Sequence, residues 1–282
     1  LAPFINYNNL ISIRINRIHI SEHYTISKYS FNCLSHLVSC SSNQFRQISK
    51  EIPTHLTYLH MYFDSINDMD QFIRPNMNQL QSLGVGIQCS VNDINQFMLI
   101  FSNYQWNRLV QLDLNFNAEY DDFEGMLMFH SLPSPRFNHV TKLSLNGCLT
   151  IDLCDAIQNH VNLGMIQHFQ FSSTVGSTEV LMELINNMPN LSSIHIQYLH
   201  CLDLFNLILL ANLSIRHLVL FDYESTIRKQ LFYHICRVFS RLTHLTTDYY
   251  SRRALSYLLT KLVYLEQLTL RLAKDQYASN YG

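Results

Sequence analysis

Large apolar residues recur along this chain in a six-residue motif, apolar-x-x-apolar-x-apolar, that keeps its phase from one end to the other. The plainest copies are Leu109-x-x-Leu112-x-Leu114, Val140-x-x-Leu143-x-Leu145 and Leu191-x-x-Ile194-x-Ile196. Ile166 with Phe169 and Phe171, Ile215 with Leu218 and Leu220, and Leu265 with Leu268 and Leu270 repeat it. So do Leu10 with Ile13 and Ile15, Leu56 with Leu59 and Met61, and Leu80 with Leu83 and Val85. Two copies lose the apolar sixth position: Leu34 and Leu37 lead to Ser39, and Leu242 and Leu245 lead to Thr247. The starting positions are 10, 34, 56, 80, 109, 140, 166, 191, 215, 242 and 265. Successive gaps of 24, 22, 24, 29, 31, 26, 25, 24, 27 and 23 residues define a repeat of about 25 residues. An apolar-rich chain yields a few such matches by chance, but not eleven in steady phase.

The spacing has a physical cause. Positions 4 and 6 of the motif alternate on a short strand, so both side chains point to one face. Position 1 tucks in from the preceding turn. Between motifs the apolar period changes from 2 to 3.6, which a returning helix requires. Ser177 precedes Val180, Leu181, Leu184, Ile185 and Met188, predicting a capped helix stopped by Pro189. Ser225 precedes Leu231, Phe232, Ile235, Cys236 and Phe239, and Ser251 precedes Leu255, Leu258, Leu259 and Leu262. Similar segments follow Asp64, Ser90 and Asp121, and a shorter one follows Asp203. The expected fold is therefore α/β, with parallel strands on a concave face and helices on a convex face.

On these motifs the chain resembles the leucine-rich-repeat family, in particular its helix-containing, ribonuclease-inhibitor-like and F-box kinds. The resemblance covers nearly all of residues 1–282 and implies a single horseshoe-shaped solenoid domain of about eleven repeats. The Asn or Cys that the family carries at the ninth position is present as Asn117 and Cys148; elsewhere Thr174, Leu199, Tyr223 or Tyr250 stands there. Irregular repeat lengths and richness in Asn, Tyr and His are similar to the repeat halves of F-box/leucine-rich-repeat proteins. In that family an F-box joins the Skp adaptor of a cullin ubiquitin ligase, and the repeats select the substrate. No F-box-like stretch is visible in the sequence. The chain starts at Leu1 without Met, its first motif begins at Leu10, and the tail after Leu270 is too short for a full capping helix. These ends lead to the expectation of a fragment lacking an N-terminal segment, through which an adaptor would bind.

Composition narrows the functional classes. Charged residues make up 14%, well below the roughly 25% of an average soluble domain, and the formal net charge is −2. No basic run offers nucleic acid an electrostatic footprint. Seven cysteines are odd in number and scattered, with no C-x-x-C pair, which predicts reduced thiols and an intracellular, cytoplasmic or nuclear protein. The two N-x-S sequons, at Asn190 and Asn212, matter only after secretion. The N-terminus lacks the basic and apolar regions of a signal peptide. No uninterrupted apolar window reaches the ~18 residues of a membrane span. There is no Gly-rich phosphate loop, H-E-x-x-H or G-x-S-x-G motif, so no enzyme chemistry, cofactor or metal is expected.

Positions 3, 5 and 7 of each motif project from the expected concave face, and two clusters stand out on it. One is aromatic: Tyr58 and Tyr62, with His36 and His60 beside them. Tyrosine is enriched at binding hot spots, although an ordinary aromatic ladder has the same composition. The other pairs His217 with His244 at the same position of neighbouring strands, with His168 and His195 further along and Phe221 and Asp248 nearby. Solvated neutral imidazoles, a pH-sensitive contact, or a metal site with Asp248 as third ligand are the readings open for it. Gln111 and Asp113 add polar contacts on the same face. Gly84 and Gly86 leave the fourth strand bare, either tightening the curvature or admitting a partner's backbone. The longest repeat, between Leu80 and Val140, carries Glu119 to Glu124 and Ser131 to Arg136, insertions that can bind a partner or merely vary in length, the acidic run alternatively capping its own helix.

The expected function is protein recognition on the concave face, as the substrate-recruiting half of an F-box-type ubiquitin ligase. The alternative is an inhibitor or scaffold that clamps a protein without a ubiquitin link. The few charges on the face argue against a basic target. A GTPase-activating or other enzymatic role would need a charged catalytic constellation, and none is present.

Overall fold

A computed structural model describes residues 11–15, 33–39, 41–49, 51–63, 65–87, 106–116, 137–147, 151–172, 178–197, 214–221, 235–248 and 251–271. The chain divides into two compact units, Leu1–Cys148 with Asp155–Met165, and Leu149–Cys154 with Ile166–Gly282. The first contains β1 (Ser12–Ile15), β2 (His36–Ser39), β3 (Tyr58–Phe63), β4 (Ser82–Ile87), β5 (Gln111–Phe116) and β6 (Lys142–Gly147). The second contains β7 (His168–Ser172), β8 (Ser193–Gln197), β9 (His217–Phe221), β10 (His244–Asp248) and β11 (Gln267–Arg271). Within each unit the strands pair parallel, in chain order.

Each strand starts two residues after its motif's first apolar position, and like positions face one another across every pair. Leu37, Leu59, Leu83, Leu112 and Leu143 form one row in the first unit. None of the five is more than 1% exposed. Leu34, Leu56, Leu80, Leu109 and Val140, the first positions, are fully buried beneath them. In the second unit Phe169, Ile194, Leu218 and Leu245 make the corresponding buried row. Burying a large side chain is worth about 1.5–3 kcal/mol, and a one-residue slip would turn each row out to solvent.

A backbone bond locks this register. The carbonyl at motif position 2 accepts from the N–H groups of positions 2 and 3 of the next strand segment. Ser35 accepts from Thr57 and Tyr58, Thr57 from Gln81 and Ser82, Gln81 from Val110 and Gln111, and Val110 from Thr141 and Lys142. Gln167, Ser192, Arg216 and Thr243 do the same in the second unit. Hydroxyl side chains at position 2 reinforce the bond: Thr57, Ser192 and Thr243 each donate to the preceding position-2 carbonyl, at 3.1–3.3 Å.

The described helices include α1 (Ser42–Ile48), α2 (Ile66–Ile73), α3 (Ile151–His160), α4 (Thr178–Asn186) and α5 (Arg252–Lys261). The division between the two units runs through α3. α4 and α5 occupy the segments the sequence predicts, and α5 is capped by Ser251, whose Oγ accepts from the Ala254 N–H at 3.2 Å. For α2 the cap is Ser65 rather than Asp64. Ile235, Cys236 and Phe239 are buried as the pattern after Ser225 requires. The segments after Ser90, Asp121 and Asp203, and the insertions at 119–124 and 131–136, lie outside the described residues.

Two helices escape the apolar pattern. In α1, among the residues whose burial is described, Phe45 is the one large buried side chain. In α3 the buried stripe is Leu153, Cys154, Ala156, Ile157 and His160, in which small and polar members dilute the signal. Side chains also stitch α1 to α2: Arg46 donates to Oδ1 of Asp68 through Nε at 2.8 Å, and its guanidinium lies 5.4 Å from the Phe72 ring centre.

Asn76 is fully buried and satisfied from both ends of its amide. Its Oδ1 accepts from the Leu56 N–H at 2.8 Å, while Nδ2 donates to the carbonyls of Pro53 at 2.7 Å and Phe72 at 2.9 Å. It thus ties the turn entering β3 to the end of α2. Replacing Asn76 with Ala strands these backbone groups and is expected to cost about 3 kcal/mol in urea denaturation. A loss of less than about 1 kcal/mol would show that the turn holds without it.

Ser39 and Thr247, which interrupt the apolar sixth position, stay in register and buried, at 5% and 0% exposure. The Ser39 hydroxyl donates to the Ser41 carbonyl at 3.0 Å, whereas Thr247 Oγ1 has no partner among the described residues. Thr247→Val, which keeps the shape and removes the hydroxyl, is expected to raise stability by about 1 kcal/mol; Thr247→Ala should lower it by a similar amount. Thermal denaturation of both variants tests the opposed signs.

Candidate functional site

The described residues place the aromatic cluster on three adjacent strands of the first unit. β2 supplies His36, β3 supplies Tyr58, His60 and Tyr62, and β4 opposes them with Ser82, Gly84 and Gly86. His36 stacks on Tyr58 with ring centres 5.7 Å apart, and Tyr58 stacks on His60 at 4.4 Å and 8°. The Nδ1 of His36 lies 2.8 Å from the Ser35 hydroxyl.

Gly84 and Gly86 explain what happens next. A Cβ on Gly84 would overlap the His60 ring, and one on Gly86 would overlap the Tyr62 ring. The bare strand is filled by the chain's own rings, which lie across β4 and reach β5. His60 Nε2 sits 2.9 Å from Ser82 Oγ and 3.3 Å from Asp113 Oδ2. Tyr62 accepts at its hydroxyl a hydrogen bond from Asn115 Nδ2. Gln111 Nε2 donates to the same Asp113 oxygen at 2.9 Å.

Burial sets the protonation of this group. It lowers the His60 pKa below the ordinary imidazole value, with the Asp113 charge opposing it in part. It raises the Asp113 pKa, against the opposing effects of His60, the Gln111 hydrogen bond and Lys142. The Tyr58 pKa is raised as well, by burial first and then by Asp113. Burial thus favours the neutral form of both groups, a neutral imidazole on His60 and a protonated carboxyl on Asp113, while each group's charge favours the other's. Ser82 and Asp113 both address Nε2, so the trio lacks the two-nitrogen relay of a nucleophile–base–acid triad.

The rings and β5 line a cavity of about 270 Å³, bounded by Tyr62, His60, Asp113, Asn115, Ser144 and Asn146 among others. It is smaller than the ~300–1,000 Å³ of sites for drug-sized ligands. Asn115 and Ser82 carry no sequence motif; what marks them is their register beside the two glycines.

The second cluster lies in the other unit. His217 and His244 are in register on β9 and β10, with ring centres 4.2 Å apart. His244 Nδ1 lies 2.9 Å from the Thr243 hydroxyl, which itself donates to the Arg216 carbonyl at 3.3 Å. The His217 pKa is lowered by desolvation, then by His244 and Arg216, with Glu266 opposing. His195, on β8 opposite Val219, is also shifted down by burial. His168 begins β7, and Phe221 is placed by register opposite Gln197.

Asp248 departs from the expectation of a partner-facing residue. It is 3% exposed, and its Oδ1 accepts from Arg271 Nε at 2.6 Å. The two share a register position on β10 and β11, so an ion pair forms sideways along the sheet and draws the carboxylate under it. Among the described residues no group of three or more His, Cys, Asp or Glu is placed to hold a metal ion. Cys33, Cys154 and Cys236 are free thiols, the last two buried, and burial pushes the Cys236 thiol up to about 11. No helix among the described residues is long and apolar enough to cross a membrane.

No protein-family model matches the chain, and no curated protein matches it.

The electrostatics predict two opposite shifts. Asp113→Asn removes the charge that supports protonated His60, so the His60 midpoint should fall further. His244→Gln removes a like charge beside His217, so the His217 midpoint should rise toward the ordinary ~6.5. Imidazole proton shifts followed against pH by NMR check both. A rise for His60 or a fall for His217 would contradict the assigned causes.

Proposed function

We propose that the chain is a protein-recognition module of leucine-rich-repeat units, about eleven in all, that presents motif positions 3, 5 and 7 to a partner. The observation that carries this reading is the first unit's ordered cluster. His36 shares a register position with Tyr58, His60 and Tyr62 follow at alternate residues of β3, and the rings are held by stacking and by polar bonds to the neighbouring strands. Rings fixed in this way lose little conformational entropy when a partner settles on them, which favours hot-spot binding. The second unit supplies the His217–His244 pair in the same motif position.

The resemblance to the repeat region of F-box/leucine-rich-repeat proteins supplies the biological context. On this reading the module selects substrates for a cullin ubiquitin ligase, and the Skp adaptor joins through an F-box elsewhere in the protein. The cluster is polar and aromatic, with Asp113 and Lys142 as charges of opposite sign on adjacent strands, which suits a partner chosen by shape and hydrogen bonding more than by net charge.

The test is quantitative affinity capture from cells with the wild-type chain and with Tyr58, Tyr62, His217 and Phe221 changed to Ala. Partners retained by the wild type should fall at least tenfold with the variant. Equal recovery would exclude the sheet face as the recognition surface. The same capture with the full reading frame should contain the Skp adaptor; its absence removes the ligase assignment and leaves recognition standing.

A further inference from the structure

The cavity over β4 has a composition that selects one kind of occupant. Its lining includes the Tyr62 ring, 43% exposed, beside Gly86, and the His60 ring beside Gly84, so it offers aromatic surface. Its wall on β5 offers oxygen acceptors. Asp113 contributes a carboxylate 25% exposed at the side chain, and Asn115, whose Nδ2 serves Tyr62, contributes its amide oxygen. Asp113 and Asn115 are two residues apart on one strand and face the same side. Ser144 and Asn146 continue the polar wall on β6. Among the described residues the one ion-pair neighbour of Asp113 within 4.0 Å is His60, which burial holds toward its neutral form.

We infer that this cavity receives a single arginine side chain of a partner protein, with its guanidinium lying against the Tyr62 ring and donating to Asp113 and Asn115. The assignment rests on the protein-recognition reading and names the chemistry it uses. A planar guanidinium stacks on an aromatic face and carries five donors in a fork, so it can address two acceptors at once. It accepts nothing, which matches a wall whose available groups include a carboxylate and an amide oxygen. Lysine offers one compact ammonium and satisfies either the rings or the wall less completely. An anionic side chain meets the Asp113 charge, and an aliphatic one covers that carboxyl without adding a donor to the one it has from Gln111. The volume, about 270 Å³, accommodates one long side chain rather than a nucleotide or other drug-sized ligand.

The experiment titrates the full chain, isotopically labelled, with Nα-acetyl-argininamide and separately with Nα-acetyl-citrullinamide, which has the same length without the charge. Backbone NMR shifts are the readout. The arginine probe should saturate in the millimolar range and move signals of Tyr62, Gly86, Asp113 and Asn115, while the citrulline probe should bind at least tenfold more weakly. Asp113→Asn should weaken the arginine probe about tenfold. Tyr62→Leu, at a side chain exposed enough to change without loss of folding, should weaken it three- to tenfold. Equal binding of the two probes, unchanged binding by Tyr62→Leu or by a folded Asp113→Asn, or shifts confined to other carboxylates would overturn the assignment. If partner capture depends on the sheet face while the arginine probe fails these criteria, the recognition reading stands and only the arginine assignment falls. If capture ignores the sheet-face variants, the recognition reading itself falls.

Discussion

The carbonyl at the second motif position, shared between two N–H groups of the following strand segment, is the constraint on which the remaining structure depends. It recurs from Ser35 to Val110 in one unit and from Gln167 to Thr243 in the other. Because the bond fixes which residue lies beside which, it aligns the buried rows at positions 1, 4 and 6. The same register aligns the outward rows at positions 3, 5 and 7. Core and candidate site are therefore two faces of one pairing scheme. Ser39 and Thr247 show its strength, since both keep strand register where the apolar side chain is missing.

The site arises where that regularity is interrupted. Outward side chains of a ladder ordinarily stand side by side, but Gly84 and Gly86 remove one rank. His60 and Tyr62 fall across the gap and engage the strand beyond. A long-range polar cluster is thus produced by an absence of side chains. The tilt buries His60 and Asp113 enough to shift both pKa values, in opposite directions, and creates the recess beside them.

Much of the strand architecture was legible, because a six-residue motif with three buried positions leaves a strong periodic trace even in a weakly charged chain. The strand starts and the outward-facing rows could be read directly. Helices were legible in proportion to the size of their buried residues: α4, rich in Leu, Ile and Met, was evident, whereas α1 and α3 were not. At the site, sequence brought His36, Tyr58, His60 and Tyr62 together and marked the glycines, but not the link between them. That link depends on ring tilt, which has no period. The pairing of Asp248 with Arg271 has no trace inside either repeat, because it forms across two neighbouring ones.

Gaps of 22 to 31 residues between motifs coexist with an unbroken register inside each unit, so length variation is absorbed away from the strands. The sheet thereby acts as a ruler whose divisions are the ~4.8 Å between neighbouring strands. A straight α-helix laid across those strands advances ~5.4 Å per turn and drifts ~0.6 Å per strand, reaching almost half a turn after four. Such a helix could match side chains to only a few consecutive strands before falling out of step. An extended segment meets the same ruler differently, with its alternate residues ~6.6 Å apart along a strand. The geometry thus matches side chains over three or four strands at a time, the breadth of the cluster that runs from His36 on β2 to Asp113 and Asn115 on β5.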